Sequence, residues 1–416
     1  MALVLRWINK DAPLQRGDYS ARSGALPAKM SARTADVVVI GGGLHGCSTA
    51  LHLARRGLKP ILVEKDYAGR HASGVNAGGV RQLARHLAEI PLSIASMALW
   101  EKIEELVGDD CGFESHGTVL VAETEAELAG FRARVEDLRL KGFTHEELID
   151  RTELKRLVPA VADHCPGGVV SRRDGAADPF RTTQAFRKRA IEKGAEVLEG
   201  VTVTGLARAG SVWRVETSAG PIEAPKVVNA AGAWADRIAA ALGEPVPLEV
   251  IAPMLMVTSR LPAFIGPVVI LRGRKLSFKQ LDNGTVVIGG GHLAVPYRDE
   301  NRTVIDWTKL ATSARTVWEL FPAMREATIV RAWAGIEARM PDDIPVVGPS
   351  ATSEGVFHQF GFSAHGFQLG PGTGAVMAEL IATGATNLPI DGLGIGRFKS
   401  LGARHSSGAI FSERNT

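Results

Sequence analysis

Residues 36–66, DVVVIGGGLHGCSTALHLARRGLKPILVEKD, restrict the fold of this chain more than any other stretch. Val37 to Ile40 is an apolar, β-branched run of the length of a buried strand. Gly41, Gly43 and Gly46 follow in G-x-G-x-x-G spacing, which makes a tight turn, lets backbone approach a pyrophosphate and lets the next helix pack close to the strand. Leu44 and His45 open that helix, whose positive N-terminal end faces the phosphates, and Gly57 ends it. Residues 60–63 make the second strand. Glu64 closes it, where a carboxylate accepts hydrogen bonds from ribose hydroxyls, and Lys65 stands beside it. Strand, helix, second strand and acid in register specify a dinucleotide-binding βαβ unit.

The rest of the composition sets bounds. A chain of 416 residues, 45% hydrophobic and 22% charged, is ordinary for a globular protein with a large core. No apolar run reaches the roughly 18–20 residues of a membrane span. Cys47, Cys111 and Cys165 are odd in number and show no C-x-x-C spacing, which points away from disulfides and metal and toward a reducing, cytoplasmic setting. The net charge of +3 gives no nucleic-acid signature, and residues 1–34, which carry +4, read as a basic extension ahead of the folded part.

Beyond the βαβ unit, residues 70–79 form a loop of small residues, 90–106 have a helical apolar rhythm, 117–122 read as a strand and 123–141 as a solvated helix. Between about 239 and 330 the pattern turns to alternating strands, with Asn283-Gly284 marking a hairpin. Glycine density returns over 361–374. The expected fold class is α/β with an α+β insert. A discontinuous Rossmann-like nucleotide domain is assembled from 35–93, 164–238 and 330–400, an antiparallel-sheet substrate domain from 94–163 and 239–329, and 401–416 form a tail.

Four segments carry a resemblance: the βαβ unit, ASGVNAGGVRQL (72–83), VVNAAGAWAD (227–236), and WAGIEARMPDDIPVVG (333–348) running into GFSAHGFQLGPGTG (361–374). Over 36–398 the chain resembles the D-amino-acid oxidase and sarcosine oxidase family of FAD-dependent amine oxidoreductases. Within it the likeness is greatest to subunits of the sarcosine oxidase beta, opine oxidase and hydroxyproline dehydrogenase type. The resemblance implies FAD, with Ser73, Asn76, Ala77, Gly78 and Gly79 lying against the isoalloxazine ring. It also implies Val203 at the adenosine, Ala231, Gly232 and Trp234 beside the pyrophosphate, and Gly366, Phe367 and Gln368 presenting a helix N-terminus to the N1/C2=O edge.

Gly335 stands where monomeric sarcosine oxidases carry the cysteine bonded to flavin, so the FAD is expected to be non-covalent. Arg81 is the expected carboxylate anchor, because a planar guanidinium can grip a carboxylate and polarise flavin. Glu337, where related enzymes have an arginine, suits a cationic amine, and His365 is a candidate base. The lysine associated with oxygen activation aligns near Val287 or Ile288, leaving His292 as the nearby substitute. The implied activity is oxidation of the C–N bond of a secondary amino acid (an N-alkyl amino acid, an opine or a cyclic imino acid) by hydride transfer to flavin N5 and hydrolysis of the imine. A small-molecule amine and a partner subunit or separate electron acceptor complete the expectation, with no metal, nucleic acid or integral membrane segment. Three alternatives stand beside it: a D-amino-acid dehydrogenase or oxidase, a hydroxy-acid or glycerol-phosphate dehydrogenase using Arg272, Arg274 and Lys275, and a non-catalytic flavin-holding subunit.

Overall fold

The strand Val37–Ile40 is wholly buried and has a parallel neighbour on each side, as its uninterrupted Val/Ile run requires. In this computed structural model, which describes residues 32–399, it lies inside a six-stranded sheet. The order is Val346–Pro349, Val356–Phe360, Lys226–Asn229, Val37–Ile40, Pro60–Val63 and Glu196–Leu198, all parallel except the first. The N-terminal extension up to residue 31 and the tail over 401–416 lie outside the described residues.

The opening helix, Leu44–Arg55, packs against the last long helix, Gly366–Thr383, and against Pro179–Glu192. Small residues permit this closeness. A Cβ at Gly370 would lie 2.5 Å from Leu44 Cδ2, and one at Gly372 would lie 2.6 Å from Ser96 Cβ in the helix Ile90–Trp100. The helical rhythm over 90–106 is realised as two helices, Ile90–Trp100 and Ile103–Val107, because Lys102 leaves helical geometry at φ −121° and ψ 28°.

The segments expected to form the substrate domain meet in a single eight-stranded sheet. Its order is Ile329–Ala334, Met254–Thr258, Val286–Gly289, Leu276–Gln280, Val268–Leu271, Thr118–Ala122, Gly167–Ser171 and Glu147–Asp150. Every pairing is antiparallel except that of Val268–Leu271 with Thr118–Ala122. Two of these strands correct the expected boundaries. Gly167–Ser171 and most of Ile329–Ala334 fall in segments assigned to the nucleotide domain, yet their hydrogen-bonded partners are Thr118–Ala122 and Met254–Thr258. A third sheet, with Val203–Ala209 at one edge, packs through Trp213, Val215 and Ile222 on the strands Val37–Ile40 and Pro60–Val63. No described helix is long and apolar enough to cross a membrane.

The helix contact at Gly372 gives a direct test. Gly372→Val should lower stability by about 1–3 kcal/mol, the usual cost of overpacking a close contact, read as a lower urea midpoint at unchanged m-value.

Candidate active site

A cavity of about 1160 Å³ lies at the carboxyl ends of the parallel strands and extends to the eight-stranded sheet. It exceeds the roughly 300–1,000 Å³ of ordinary small-molecule pockets and sits where doubly wound sheets bind nucleotides. Its wall includes most of the residues expected to hold the cofactor: Gly41, Gly43, Leu44, His45, Glu64, Lys65, Ser73, Asn76, Ala77, Gly79, Val203, Ala231, Gly232, Trp234, Gly335, Gly366 and Phe367. Arg81, Glu337 and His365 line it too.

At the nucleotide end, Glu64 accepts from Gly42 N at 2.6 Å and from Asp66 N at 2.9 Å. Burial is the largest influence on its carboxyl and pushes the pKa up, while these two amides pull it down. Lys65 Nζ lies 3.4 Å above the Trp234 ring and donates to Asn301 at 2.6 Å. Ser73 Oγ, 2.9 Å from Leu44 N, stands at the N-terminus of the opening helix. Gly43 leaves it room, since a Cβ there would lie 2.9 Å from that hydroxyl. A carboxylate at the ribose position, a glycine turn and a helix N-terminus together fit an adenine dinucleotide.

The small-residue loop is braced by Asn76, whose amide donates to Ala72 O and Ser73 O and accepts from Gly78 N at 2.7 Å. Gly335 abuts this loop so closely that a Cβ would collide with Val75 Cγ2. A cysteine there is thus excluded by space as well as by identity.

The following loop carries two arginines on an anchored backbone. Gln82 N and Leu83 N donate to the buried Asp174 carboxylate at 2.8 and 3.1 Å, and Ala84 N donates to Glu146 at 2.7 Å. Arg134 then grips Glu146 with two nitrogens and donates to Arg85 O at 2.9 Å. Arg81 donates to Leu83 O, and Arg85 Nη2 donates to Arg81 O at 2.6 Å. Among the described residues neither guanidinium has a carboxylate within ion-pair distance. Arg85 is 2% exposed, and its Nε and Nη1 have no hydrogen-bond partner. Burial and the adjacent Arg81 both disfavour its charge. An anion bound beside these groups would relieve that penalty. Arg85, Asp174 and Glu146 are the functional residues that sequence reasoning missed.

A strained turn closes this region. Ser363 and Ala364 are consecutive non-glycine residues with positive φ, 52° and 64°. Such conformations cost of order 1–3 kcal/mol each and persist only where the surroundings hold them. Here Ser363 N donates to Ala338 O, Met340 N donates to Ser363 Oγ at 3.0 Å, and Ala364 N donates to Glu337 Oε1 at 2.6 Å. Burial pushes Glu337 up to about 7, against the pull of that amide. His365 follows, with Nδ1 3.1 Å from Glu89 Oε1.

Four expected site residues sit off the cavity wall. Gly46 lies beneath the Gly41 turn, where a Cβ would strike Gly41 O, and Gly78 faces Ala177 O and Lys279 Nζ. The Gln368 side chain does not reach toward a flavin: it bonds Ser93 O at 2.8 Å and Ser93 Oγ at 3.0 Å, inside the helix contact. His292 is corrected as well. Its neighbours Gly291 and Leu293 line the cavity and it does not, and burial followed by Lys275 and Lys309 lowers its pKa, so a protonated imidazole is disfavoured there. Of the basic trio on the neighbouring turn, Arg274 is taken up by Glu123 and Glu319, while Arg272 and Lys275 reach the cavity. Lys279, in register with Val287, is buried without an ion pair among the described residues, and burial lowers its amine to about 8.

Comparison with known proteins agrees with this geometry. The family described as DAO, FAD dependent oxidoreductase, matches residues 36–380, and the chain belongs to it. The chain is 27% identical to the sarcosine oxidase subunit beta of Rhodobacter capsulatus, covering 88% of each. It is 28% identical to human mitochondrial sarcosine dehydrogenase, where 94% of this chain spans only 44% of that protein. The crystal structure of L-proline dehydrogenase from P. horikoshii superposes with a TM-score of 0.83 at 30% identity, over 89% of this chain and 99% of that one.

FAD is therefore the cofactor, and Gly335 predicts how it is held. Acid precipitation should release all of it to the supernatant, and colour retained in the pellet would show a covalent link. Glu64→Gln should weaken FAD binding by about 2 kcal/mol, the loss expected for hydrogen bonds to a charged group, measured by fluorescence titration of the apoprotein.

Proposed function

We propose that this FAD-dependent oxidoreductase oxidises the C–N bond of a secondary amino acid. The observation that carries the reading is the pair Arg81 and Arg85, which line the cavity from an anchored loop and have no carboxylate partner among the described residues. A substrate carboxylate supplies the missing anion. The printed names of three relatives, a sarcosine oxidase subunit, a sarcosine dehydrogenase and an L-proline dehydrogenase, support an amine that is secondary. When bound, the flavin accepts the hydride, and the protein's part is to position the substrate and to tune charge around it.

The residues of the cavity wall then have separate tasks. Arg81 and Arg85 hold the carboxylate, so that the α-carbon is presented in one orientation. Glu337, pushed up to about 7 by burial, can ionise in response to a cationic amine. The strained turn and the start of the helix Gly366–Thr383 line the same cavity as the loop 72–79, with the His45 ring packed close to Gly366. Val287 and Ile288 contribute no charge, while Lys279, in register with Val287, places its amine beside Gly78; electron transfer to a partner subunit is supported by a relative that is itself a subunit.

Anaerobic mixing of the purified protein with sarcosine, L-proline, N-(carboxyalkyl) amino acids and D-alanine tests the reading, with bleaching of the flavin band as the signal. Secondary amino acids should bleach it and the primary amine should not; bleaching by D-alanine alone would replace the proposal with D-amino-acid oxidation. Arg85→Lys and Arg81→Lys should each lower kcat/KM by about 2–4 kcal/mol, roughly thirty- to a thousandfold, because lysine cannot reproduce a planar fork. FAD content should be retained. On admission of air the reduced protein should reoxidise slowly, and with an artificial dye quickly.

A further inference from the structure

An α-amino acid held by its carboxylate presents its nitrogen only two bonds away, so a group that handles the amine proton must stand next to the carboxylate anchor. Arg85 Nη2 donates to the carbonyl of His365 at 3.3 Å, which places one histidine there. We propose that His365, its Nδ1–H held by Glu89, accepts the proton of the substrate ammonium at Nε2. This rests on the amine-oxidation reading above.

The two ring nitrogens are differently placed. Nδ1 is 3.1 Å from Glu89 Oε1, and Glu89 is wholly buried, has no Lys or Arg partner among the described residues, and takes His86 N on its other oxygen at 3.2 Å. A carboxylate so enclosed fixes the tautomer with the proton on Nδ1. Among the described residues the ring's one hydrogen-bond partner is Glu89 at Nδ1, which leaves Nε2 open on a ring that lines the cavity. A second pair in the same fold shows what a structural His–Glu contact looks like. His358 has Nε2 3.0 Å from Glu244 and Nδ1 3.3 Å from Asn229 Nδ2; both nitrogens are occupied, the ring is fully buried, and it does not reach the cavity.

The charges around His365 suit a base that works when substrate is present. Burial first, then Arg85 and Arg81, lower its pKa to about 4, against the opposing pull of Glu89. The imidazole is therefore neutral near pH 7. A substrate carboxylate on the two arginines offsets their effect and strengthens the base. Glu337, on the next strand, has one oxygen on Ala364 N, and Asp343 lies beyond Glu89. The steps balance. The N–H proton passes to Nε2 and frees the nitrogen lone pair, which forms the C=N bond as the α-hydrogen leaves with its electron pair to FAD, the oxidant. The substrate loses a proton and a hydride, two electrons in all, and water then adds to the iminium carbon.

The test is the pH dependence of flavin reduction in His365→Asn and Glu89→Gln holoproteins. His365→Asn should lose at least a hundredfold in kcat/KM at pH 7, within the usual range for general-base catalysis. The deficit should shrink to within about tenfold near pH 10, where an alkylamine is largely neutral in solution. Glu89→Gln, which keeps the ring, should lose about tenfold at pH 7 with the same recovery. Binding of 2-furoate, a carboxylate without an amine, read by flavin absorbance, should stay within about threefold of the parent. A loss equal at both pH values, a collapse of 2-furoate binding, or the recovering profile appearing in Glu337→Gln instead would overturn the assignment. If the parent protein is bleached by no secondary amino acid, it is the function that fails and not the assignment of the base.

Discussion

The capture of the 82–84 amides by two buried carboxylates is the interaction on which the rest of the site depends. Asp174 follows the strand Gly167–Ser171, and Glu146 precedes Glu147–Asp150, so both belong to the eight-stranded sheet. The loop they hold runs out of the nucleotide unit. A buried carboxylate is costly unless its lone pairs are filled. Asp174 fills them with two backbone amides and Ser171 Oγ, and Glu146 with Ala84 N and the Arg134 fork. The acids and the loop thus satisfy one another, and the antiparallel sheet is tied to the flavin-binding half through the segment that presents Arg81 and Arg85.

That arrangement explains why arginines can remain unpaired inside a protein. An isolated flexible arginine would turn toward water or toward the nearest acid. Here the backbone is pinned on its amide side, and Arg85 spends Nη2 on two carbonyls, Arg81 O and His365 O. The carboxylates nearest the loop are consumed by its amides and, at Glu146, by Arg134, and not by Arg81 or Arg85. The result is a preorganised positive corner, whose desolvation is compensated only when an anion enters.

The nucleotide half was legible in the sequence because its signals are local. The run 37–40, the glycine turn and Glu64 lie within one short segment, and each plays its part through backbone geometry over a few residues. The antiparallel insert was legible as a texture of alternation but not in its extent: Gly167–Ser171 and Ile329–Ala334 are short apolar runs that suit either sheet, and only their partners decide. The substrate corner was half legible. Arg81 follows the flavin loop directly, whereas Arg85 differs from a surface arginine only through burial, and Asp174 and Glu146 act through contacts about 90 and 60 residues distant. Gln368 misled for a related reason. Its place in the first turn of a helix facing the cavity is right, but its side chain points to the helix flank, where Ser93 satisfies it.

Charge is distributed unevenly along the cavity. Acids at the nucleotide end meet neutral donors, Glu64 with Gly42 N and Asp66 N, and so await hydroxyl groups. At the substrate end the order is reversed. Two guanidiniums stand without acids, the nearby Glu337 is held at about 7 by burial, and His365 is kept neutral beside its buried Glu89. A zwitterionic amino acid entering this end brings the carboxylate that the arginines lack and an ammonium that meets two groups able to change protonation. Because burial sets the energy of all four groups, a ligand with only one of the two charges leaves part of the cost uncompensated. On the proposed reading, selectivity for amino acids over simple amines or simple acids would follow from the desolvated corner itself, without any contact to the remainder of the substrate.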